Sequence, residues 1–370
     1  MTIRDLLKIM VAQGASDIYI TVGAPPTFRI NGVATPMGKT PLAPPHTEQL
    51  ANSVLNDRQK AEFSEKLEMN LALSISDMGR FRVNILRQQG HVAMVIRRIN
   101  TTILTTEELE LPAILNKIVT AKMGLVLMVG ATGSGKSTSM AAMVDFRNRN
   151  VAGHILTIED PIEFVHVHKR SIVTQREIGM DTHSFHNALV NALRQAPDCI
   201  LIGEIRDAEF MEQALTLAET GHLTMATLHA NNAYHALDRV VNLFPEAKRH
   251  QVLQGLSLNL VAVVSQRLIP GAQGGRAAAV EVMINTPRIS ELIIDGKLGE
   301  IRDTMAKSRD AGCQTFDQHL YDLFKLGKIT EETAIKHADS LNDIKLMIKA
   351  DQFSGDPKKD LANISKNFKL

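Results

Sequence analysis

The first hundred residues combine one amphipathic helix with a series of short strands. Apolar residues at positions 3, 6, 7, 10 and 11 recur at helical spacing, and Thr2 and Asp5 are placed to cap this first helix. Helices are predicted at 2–13, about 47–56 and about 57–67, with a loop marked by Pro41, Pro44 and Pro45. Alternating apolar and polar positions predict strands at 17–22, 27–30, 33–35, 70–76, 80–87 and 91–99. The pattern therefore predicts a small α+β domain over residues 1–100.

The pattern changes after a polar, threonine-rich linker at residues 101–106. Thr105 and Glu108 are spaced like a capping box, which predicts a helix from there to Thr120. Further on, strands alternate with helices, and this order favours a mostly parallel sheet covered by helices. The strands are predicted at 125–129, 155–158, 199–202, 223–228, 262–268 and 278–284. Helices are predicted near 287–295, 315–326, 330–337 and 340–349. This second domain is predicted over 107–350, and the polar residues 351–370 are predicted to form a mobile tail.

Composition narrows the class of protein. The 370 residues carry a net charge of +1, with 44% hydrophobic and 4% aromatic residues. Neither a strong positive overall charge, which would attract nucleic acid, nor a rich supply of aromatic side chains, which would stack on bases, is present to favour a nucleic-acid translocase. Two cysteines, Cys199 and Cys313, argue against a disulfide framework. The N-terminus does not fit a signal peptide, and no apolar run approaches the length of a membrane span. A cytoplasmic protein without direct membrane insertion is expected.

One loop carries the clearest chemistry. The apolar run at 125–129 is followed by a glycine-rich segment and then by a helical pattern, the setting of a G-x-x-x-x-G-K-[ST] phosphate loop. In such a loop several backbone N–H groups point at one anion beside a helix N-terminus. Lys136 is predicted to reach the β- and γ-phosphates, and Ser137 to bind Mg²⁺. The predicted nucleotide-binding residues are Gly130, Ala131, Thr132, Gly133, Ser134, Gly135, Lys136, Ser137 and Thr138. The sequence therefore predicts binding of a nucleoside triphosphate.

Acidic residues follow two of the predicted strands. Glu159, Asp160 and Glu163 come after the strand at 155–158, at the end where parallel sheets hold their ligands, and one of them could polarise an attacking water. Surface carboxylates in a loop are the alternative interpretation. The apolar run at 199–202 delivers Glu204 in the manner of a Walker B strand, which predicts a second group for the Mg²⁺ shell, although aspartate is more usual there.

Arginines and histidines complete the set of candidates. Arg206 could bind phosphate or hold a neighbouring acid, or be an ordinary surface arginine. His222 and His229 flank the strand at 223–228, where either a structural or a nucleotide-contacting role is open. The arginines of the first domain could form a solvated strand face or reach a γ-phosphate as arginine fingers do. These arginines are Arg80, Arg82, Arg97 and Arg98.

Together these motifs resemble those of the type IV pilus retraction ATPases, a branch of the secretion ATPases with PilT-type and PilU-type members. The phosphate loop at 130–138, an acidic box at 158–164, the Walker B segment at 201–207 and a histidine box at 221–231 occur in the family's order. The segments 14–17 and 79–83 match as well. The resemblance covers residues 1–350.

The resemblance implies a fold and a set of roles. It implies an α/β fold with a RecA-like P-loop ATPase domain and a smaller PAS-like N-terminal domain, assembled as a homohexamer that binds ATP and Mg²⁺ between domains. It implies that Glu163 is the catalytic base, that Glu204 is the Walker B acid and that His222 and His229 sense or position the nucleotide. Arg82 and either Arg97 or Arg98 become arginine-finger candidates, and Arg206 stays a candidate catalytic residue.

One departure bears on the branch of the family. PilT-type motors carry the motif A-I-R-N-L-I after the last strand, whereas this chain has R-I-S-E-L-I at 288–293. This favours a PilU-type accessory ATPase, which assists pilus retraction and twitching motility beside a PilT-like motor and an inner-membrane platform protein. The expected location is then cytoplasmic, peripheral to the inner membrane. The alternatives are an ATP-bound scaffold for the motor and a pilus or secretion assembly ATPase, a type that usually has a longer N-terminal region.

Overall fold

The structure, a computed structural model, describes residues 1–99 and 102–353. Contacts between Cα atoms divide the chain into two compact units. The first unit comprises Met1–Ile103, Pro161–Val167 and Glu177–His183, and the second holds the rest of the described chain. The domain boundaries predicted from the sequence stay predictions.

The first unit contains three helices and a six-stranded sheet in the order β3-β2-β1-β6-β5-β4, in which every neighbouring pair is antiparallel. The helices are α1 (Ile3–Ala12), α2 (Pro44–Asn52) and α3 (Asp57–Lys66). The strands are β1 (Asp17–Ile20), β2 (Thr27–Ile30), β3 (Val33–Pro36), β4 (Glu68–Ile75), β5 (Gly79–Gln88) and β6 (His91–Ile99). Alternate residues of β5, namely Phe81, Val83 and Ile85, join the apolar stripe of α1 in one core.

Two predicted local features of this unit meet different outcomes. The cap of α1 is confirmed: the Asp5 N–H donates to Thr2 Oγ1 at 3.2 Å, and the Thr2 N–H donates to Asp5 Oδ2 at 2.9 Å. The loop predicted at Pro44 and Pro45 is wrong, because these prolines occupy the first turn of α2. The first N–H groups of a helix have no intrahelical partner, so proline is tolerated there.

The second unit is built on a seven-stranded sheet in the order β13-β12-β7-β11-β10-β8-β9. Its strands are β7 (Gly124–Val129), β8 (Gly153–Glu159), β9 (Ser171–Glu177), β10 (Cys199–Ile202), β11 (Leu223–Leu228), β12 (Leu260–Pro270) and β13 (Arg276–Ile284). β8, β10, β11, β7 and β12 are parallel, whereas β13 pairs with β12 in the antiparallel sense. All residues of the central β7 are buried, as expected for a strand covered on both faces. The predicted α/β fold is confirmed.

The earlier helices of the second unit fall before or between its strands, and the last five follow β13. They are α4 (Ile114–Val119), α5 (Lys136–Asn150), α6 (Phe185–Ala192), α7 (Ala208–Glu219), α8 (Ala233–Asn242), α9 (Glu246–Asn259), α10 (Pro287–Ile294), α11 (Ile301–Ala306), α12 (Phe316–Lys325), α13 (Glu331–His337) and α14 (Leu341–Phe353). Short 3₁₀ segments lie at Leu193–Gln195, Leu298–Glu300 and Arg309–Ala311. None of the helices within 1–99 and 102–353 has the length and apolar character needed to span a bilayer.

The helix predicted from Thr105 to Thr120 is wrong in its first half. The predicted cap exists, since the Thr105 N–H donates to Glu108 at 2.7 Å and the Glu108 N–H donates to Thr105 at 3.1 Å. It closes only a turn, and α4 begins at Ile114. Pro112 has no N–H for a helical bond and disfavours helical backbone in the residue before it, so the helix starts beyond it.

At the other end, α14 continues to Phe353, three residues into the segment predicted as a tail. The remainder of that tail lies outside the described residues.

Candidate nucleotide-binding site

The phosphate-loop pattern lies in the predicted context of strand, loop and helix. β7 ends at Val129, and the 15-residue helix α5 begins at Lys136. Lys136 Nζ donates to the carbonyl oxygens of Gly130 at 2.7 Å and Ala131 at 2.9 Å, so its ammonium group lies against the loop. Ser137 lies in the first turn of α5, half-buried. The start of this helix therefore combines a cation, backbone N–H groups and a hydroxyl, the donors that bind phosphate and Mg²⁺.

Different local features explain why glycine occupies three positions of the loop. A Cβ at Gly130, where φ is +151°, would lie 2.5 Å from the carbonyl oxygen of Gln266. A Cβ at Gly135, where φ is +86°, would lie 2.7 Å from Gln266 Nε2. Gly133, with φ of +78°, faces open space, so only its backbone conformation favours glycine. Two of the glycines thus allow close packing of the loop on β12, and the third shapes an open cradle that fits a phosphate chain.

Glu204 follows β10 and lies at the centre of a polar cluster. Its Oε1 is 3.1 Å from His229 Nε2, and its Oε2 accepts a hydrogen bond from Arg206 Nε at 3.0 Å. Arg206 also lies 3.6 Å from the Asp160 carboxylate. Of the alternatives that the sequence left open for Arg206, this geometry favours holding neighbouring acids. Because β8, β10, β11 and β7 are parallel, this cluster and the phosphate loop lie along the same carboxyl edge of the sheet.

The acidic residues of the acidic box lie in different surroundings. Glu159, at the end of β8, accepts hydrogen bonds from Thr157 Oγ1 at 2.6 Å and Gln175 Nε2 at 3.2 Å. Glu163 is exposed and belongs to Pro161–Val167, which is grouped with the first unit. Its role as catalytic base stays a prediction.

His222 and His229 lie at opposite ends of β11. His222 Nδ1 is 3.1 Å from the carbonyl oxygen of Leu217, and the His222 carbonyl accepts from the Gly124 N–H at 3.0 Å, at the start of β7. A six-residue strand spans about 20 Å at the usual rise per residue. Within one chain, His229 therefore joins the Glu204 cluster and His222 does not.

The arginines of the first unit are distributed over both faces of its sheet. Arg82 and Arg97 are cross-strand partners on the face opposite the core, whereas Arg98 lies on the same face of the sheet as the buried Ile96. Arg97 Nε donates to Asp17 Oδ1 at 2.8 Å, and this hydrogen bond with its charge attraction raises the pKa of Arg97. Asp17, which is only 3% exposed, is a partner that the sequence reasoning missed, since the two residues are 80 positions apart.

A buried carboxyl group supports the segment that follows His229. Glu281, on β13, accepts hydrogen bonds from the Ala233 N–H at 2.7 Å, at the start of α8, and from Ser265 Oγ at 3.1 Å. Burial raises the pKa of Glu281 to about 7, because it penalises the charged form. Neither the position of Glu281 in the sequence nor its sequence neighbours indicate that its carboxyl group is buried.

Replacement of Glu281 by glutamine is expected to flatten the dependence of stability on pH. In the unfolded chain the carboxyl titrates near 4.5, so the folded state holds the proton more tightly. This contribution is complete below pH 4.5 and is lost as the pH rises through 7, with a total on the order of 3 kcal/mol. Urea unfolding of the wild type and of Glu281→Gln between pH 5 and pH 8 measures the difference. Parallel losses of unfolding free energy in both proteins would contradict the assignment.

Comparison with known proteins gives consistent similarities over most of the chain. The family model described as "Type II/IV secretion system protein" matches residues 1–322. The type IV pilus ATPase PilU of Pseudomonas aeruginosa is 52% identical over 94% of this chain and 92% of the relative. The type IV pilus retraction ATPase PilT of the same organism is 42% identical over 91% of this chain and 98% of the relative.

A solved structure agrees with these sequence similarities. The crystal structure of the pilus retraction motor PilT with bound ADP superposes with a TM-score of 0.86 at 41% identity, covering 93% of this chain and 99% of that one. The predicted resemblance to the type IV pilus retraction ATPases is confirmed.

Proposed function

Because the chain belongs to the type II/IV secretion system protein family, we propose that it is a Mg²⁺-dependent ATPase that assists retraction of type IV pili. The observation that supports this most is the alignment of the phosphate loop and the Glu204 cluster along one carboxyl edge of the second unit's sheet. A loop that holds phosphates is sufficient for binding, and hydrolysis needs acidic groups as well. Both sets of groups are present in this chain.

In the proposed reaction, each group has a defined task. Lys136 and the N–H groups of the loop hold the β- and γ-phosphates of ATP. Ser137 and Glu204 provide the hydroxyl and carboxylate oxygens that suit Mg²⁺, which when bound neutralises charge on the phosphates. Glu163 accepts a proton from the attacking water. His229 and Arg206 orient Glu204, in keeping with their distances of 3.1 and 3.0 Å from its carboxylate oxygens.

The proposed architecture is the one that the family resemblance of the sequence motifs implies. The second unit is a RecA-like ATPase domain, the first unit is PAS-like, and six copies form a ring. Arg82 with Arg97 or Arg98 then acts as an arginine finger toward a neighbouring nucleotide. Arg82 suits that task better than Arg97, because Arg97 is hydrogen-bonded to Asp17. His222 lies away from the phosphate loop of its own chain. Any contact it makes with a nucleotide is therefore with one bound to another copy of the chain.

The proposed cellular role is that of an accessory motor. Identity is higher with the PilU relative than with the PilT relative, and the R-I-S-E-L-I segment at 288–293 departs from the PilT-type motif. The chain would act on the cytoplasmic side of the inner membrane, beside a PilT-like motor and the platform protein of the pilus.

A strain that lacks this protein tests the role in retraction. We expect surface pili to persist while twitching motility falls, and we expect the wild-type gene to restore it. Missing surface pili would instead favour an assembly ATPase. Full restoration by the Glu204→Gln variant would favour an ATP-bound scaffold over an enzyme, and lack of co-purification with the PilT-like motor under ATP would remove the accessory role.

A further inference from the structure

Gln266, on β12, joins the phosphate loop to the helix that follows it. Its side chain is only 2% exposed. Nε2 donates to the carbonyl oxygen of Ser134 at 2.9 Å, and Oε1 accepts from Ser139 Oγ at 2.7 Å. One buried amide therefore holds both the end of the loop and the first turn of α5. Glutamine offers a donor and an acceptor on one rigid plane, and both are used here.

Arg267, the next residue, faces the other side of the sheet and joins different elements. One terminal nitrogen donates to the carbonyl oxygen of Asn231 at 3.2 Å. The other donates to Asp339 Oδ1 at 2.7 Å and to the carbonyl oxygen of His337 at 3.3 Å. The guanidinium carbon lies 3.9 Å from the centre of the Phe316 ring. Arg267 thus fixes residues 229–232, the loop that carries His229, to the C-terminal helices.

These two residues belong to the strand that pairs directly with β7. Val264 lies opposite Met128 and Ser265 opposite Val129, so Gln266 comes level with the first residue of the phosphate loop. We propose that Gln266 and Arg267 are positioning residues for ATP hydrolysis, in which Gln266 sets the phosphate loop and Arg267 sets the His229 loop. The inference rests on the proposed function. It adds β12 to the site as the element that holds both loops from one backbone.

The two residues should affect different steps. The phosphate loop contacts groups that ATP and ADP share, so loss of the Gln266 bonds weakens binding of both nucleotides. The His229 loop acts through Glu204, so loss of the Arg267 bonds slows turnover while ADP still binds. A purely structural role would lower stability without separating affinity from rate.

Two near-isosteric variants and a matched control test the proposal. Gln266→Leu should raise the Kd for ADP roughly tenfold, whereas Arg267→Met should lower kcat roughly tenfold and leave that Kd within threefold. The control is Gln195→Leu, because Gln195 Nε2 also donates to a backbone carbonyl, that of Asn191 at 3.3 Å, just before the start of β10 and so at the opposite end of the sheet from the phosphate loop. We expect the control to change neither kcat nor Kd. Gln266→Glu and Arg267→Lys repeat the measurements with better preserved shape or charge, should the first variants fold poorly.

Hydrogen exchange provides a readout that does not depend on turnover. Gln266→Leu should speed amide exchange at 130–139, and Arg267→Met should speed it at 229–235, each without the other. Exchange that rises equally in both segments, or affinity and rate that change together, would overturn the proposal. If the wild-type protein does not hydrolyse ATP, the proposed function fails, yet ADP affinity and exchange still decide whether the two residues position the loops.

Discussion

Replacement of Lys136 by alanine should reduce ATP turnover by roughly 100-fold or more, since a preorganised positive charge on the phosphates is lost. The structure adds a second cost, because Lys136 Nζ also donates to the carbonyl oxygens of Gly130 and Ala131. Affinity for ADP should therefore fall together with turnover. Phosphate release and the fluorescence of a labelled ADP measure the two effects.

Lys122 provides the matched control for Lys136. It is exposed, precedes β7 in the same unit and lies outside the phosphate loop. Lys122→Ala removes an equal charge, and its turnover and affinity should match the wild type. Turnover of Lys136→Ala within threefold of the wild type would mean that the loop does not hold the hydrolysed nucleotide.

Replacement of Glu204 by glutamine should separate hydrolysis from binding. The amide has almost the same shape but no charge, so it is a poorer Mg²⁺ ligand, loses the ion pair with Arg206 and alters the contact with His229. Turnover should fall roughly 100-fold, whereas affinity for ADP without Mg²⁺ should stay within a few-fold. Steady-state rates and ADP titrations with and without Mg²⁺ give both quantities.

Glu212 is the control for this change, because it is also a glutamate with a cationic partner, Lys248 at 3.3 Å. Both side chains of that pair are more than half exposed, so Glu212→Gln should alter stability by less than about 1 kcal/mol and leave turnover unchanged. Equal turnover of Glu204→Gln and Glu212→Gln would exclude Glu204 from the reaction.

The parts of the site that sequence reasoning found are local in the chain. The phosphate loop occupies nine consecutive residues with a distinctive flank on each side, and Glu204 directly follows an apolar strand. The fold class followed from the alternation of strands and helices for the same reason. Spacing along the chain is sufficient where the chemistry comes from neighbours in sequence.

The parts that were missed depend on distant partners or on a local conflict. Gln266 accepts a hydrogen bond from Ser139, which is 127 positions away in the sequence. The pattern of apolar and polar residues does not indicate that a glutamine on a strand is buried. The edge strand β9 was missed because S-I-V-T-Q-R-E combines few apolar residues with polar ones. Thr105 forms the predicted cap, but Pro112 prevents the capped turn from continuing as a helix.

The contact of Gly130 and Gly135 with Gln266 has a consequence for the speed of nucleotide association. Much of the loop's shape is fixed by contacts with β12 that form when the chain folds. The entropy of ordering those residues is then lost at folding, and little remains to be lost when a phosphate arrives. Nucleotide association should resemble docking onto a rigid template, with its rate set by diffusion and access rather than by closure of the loop.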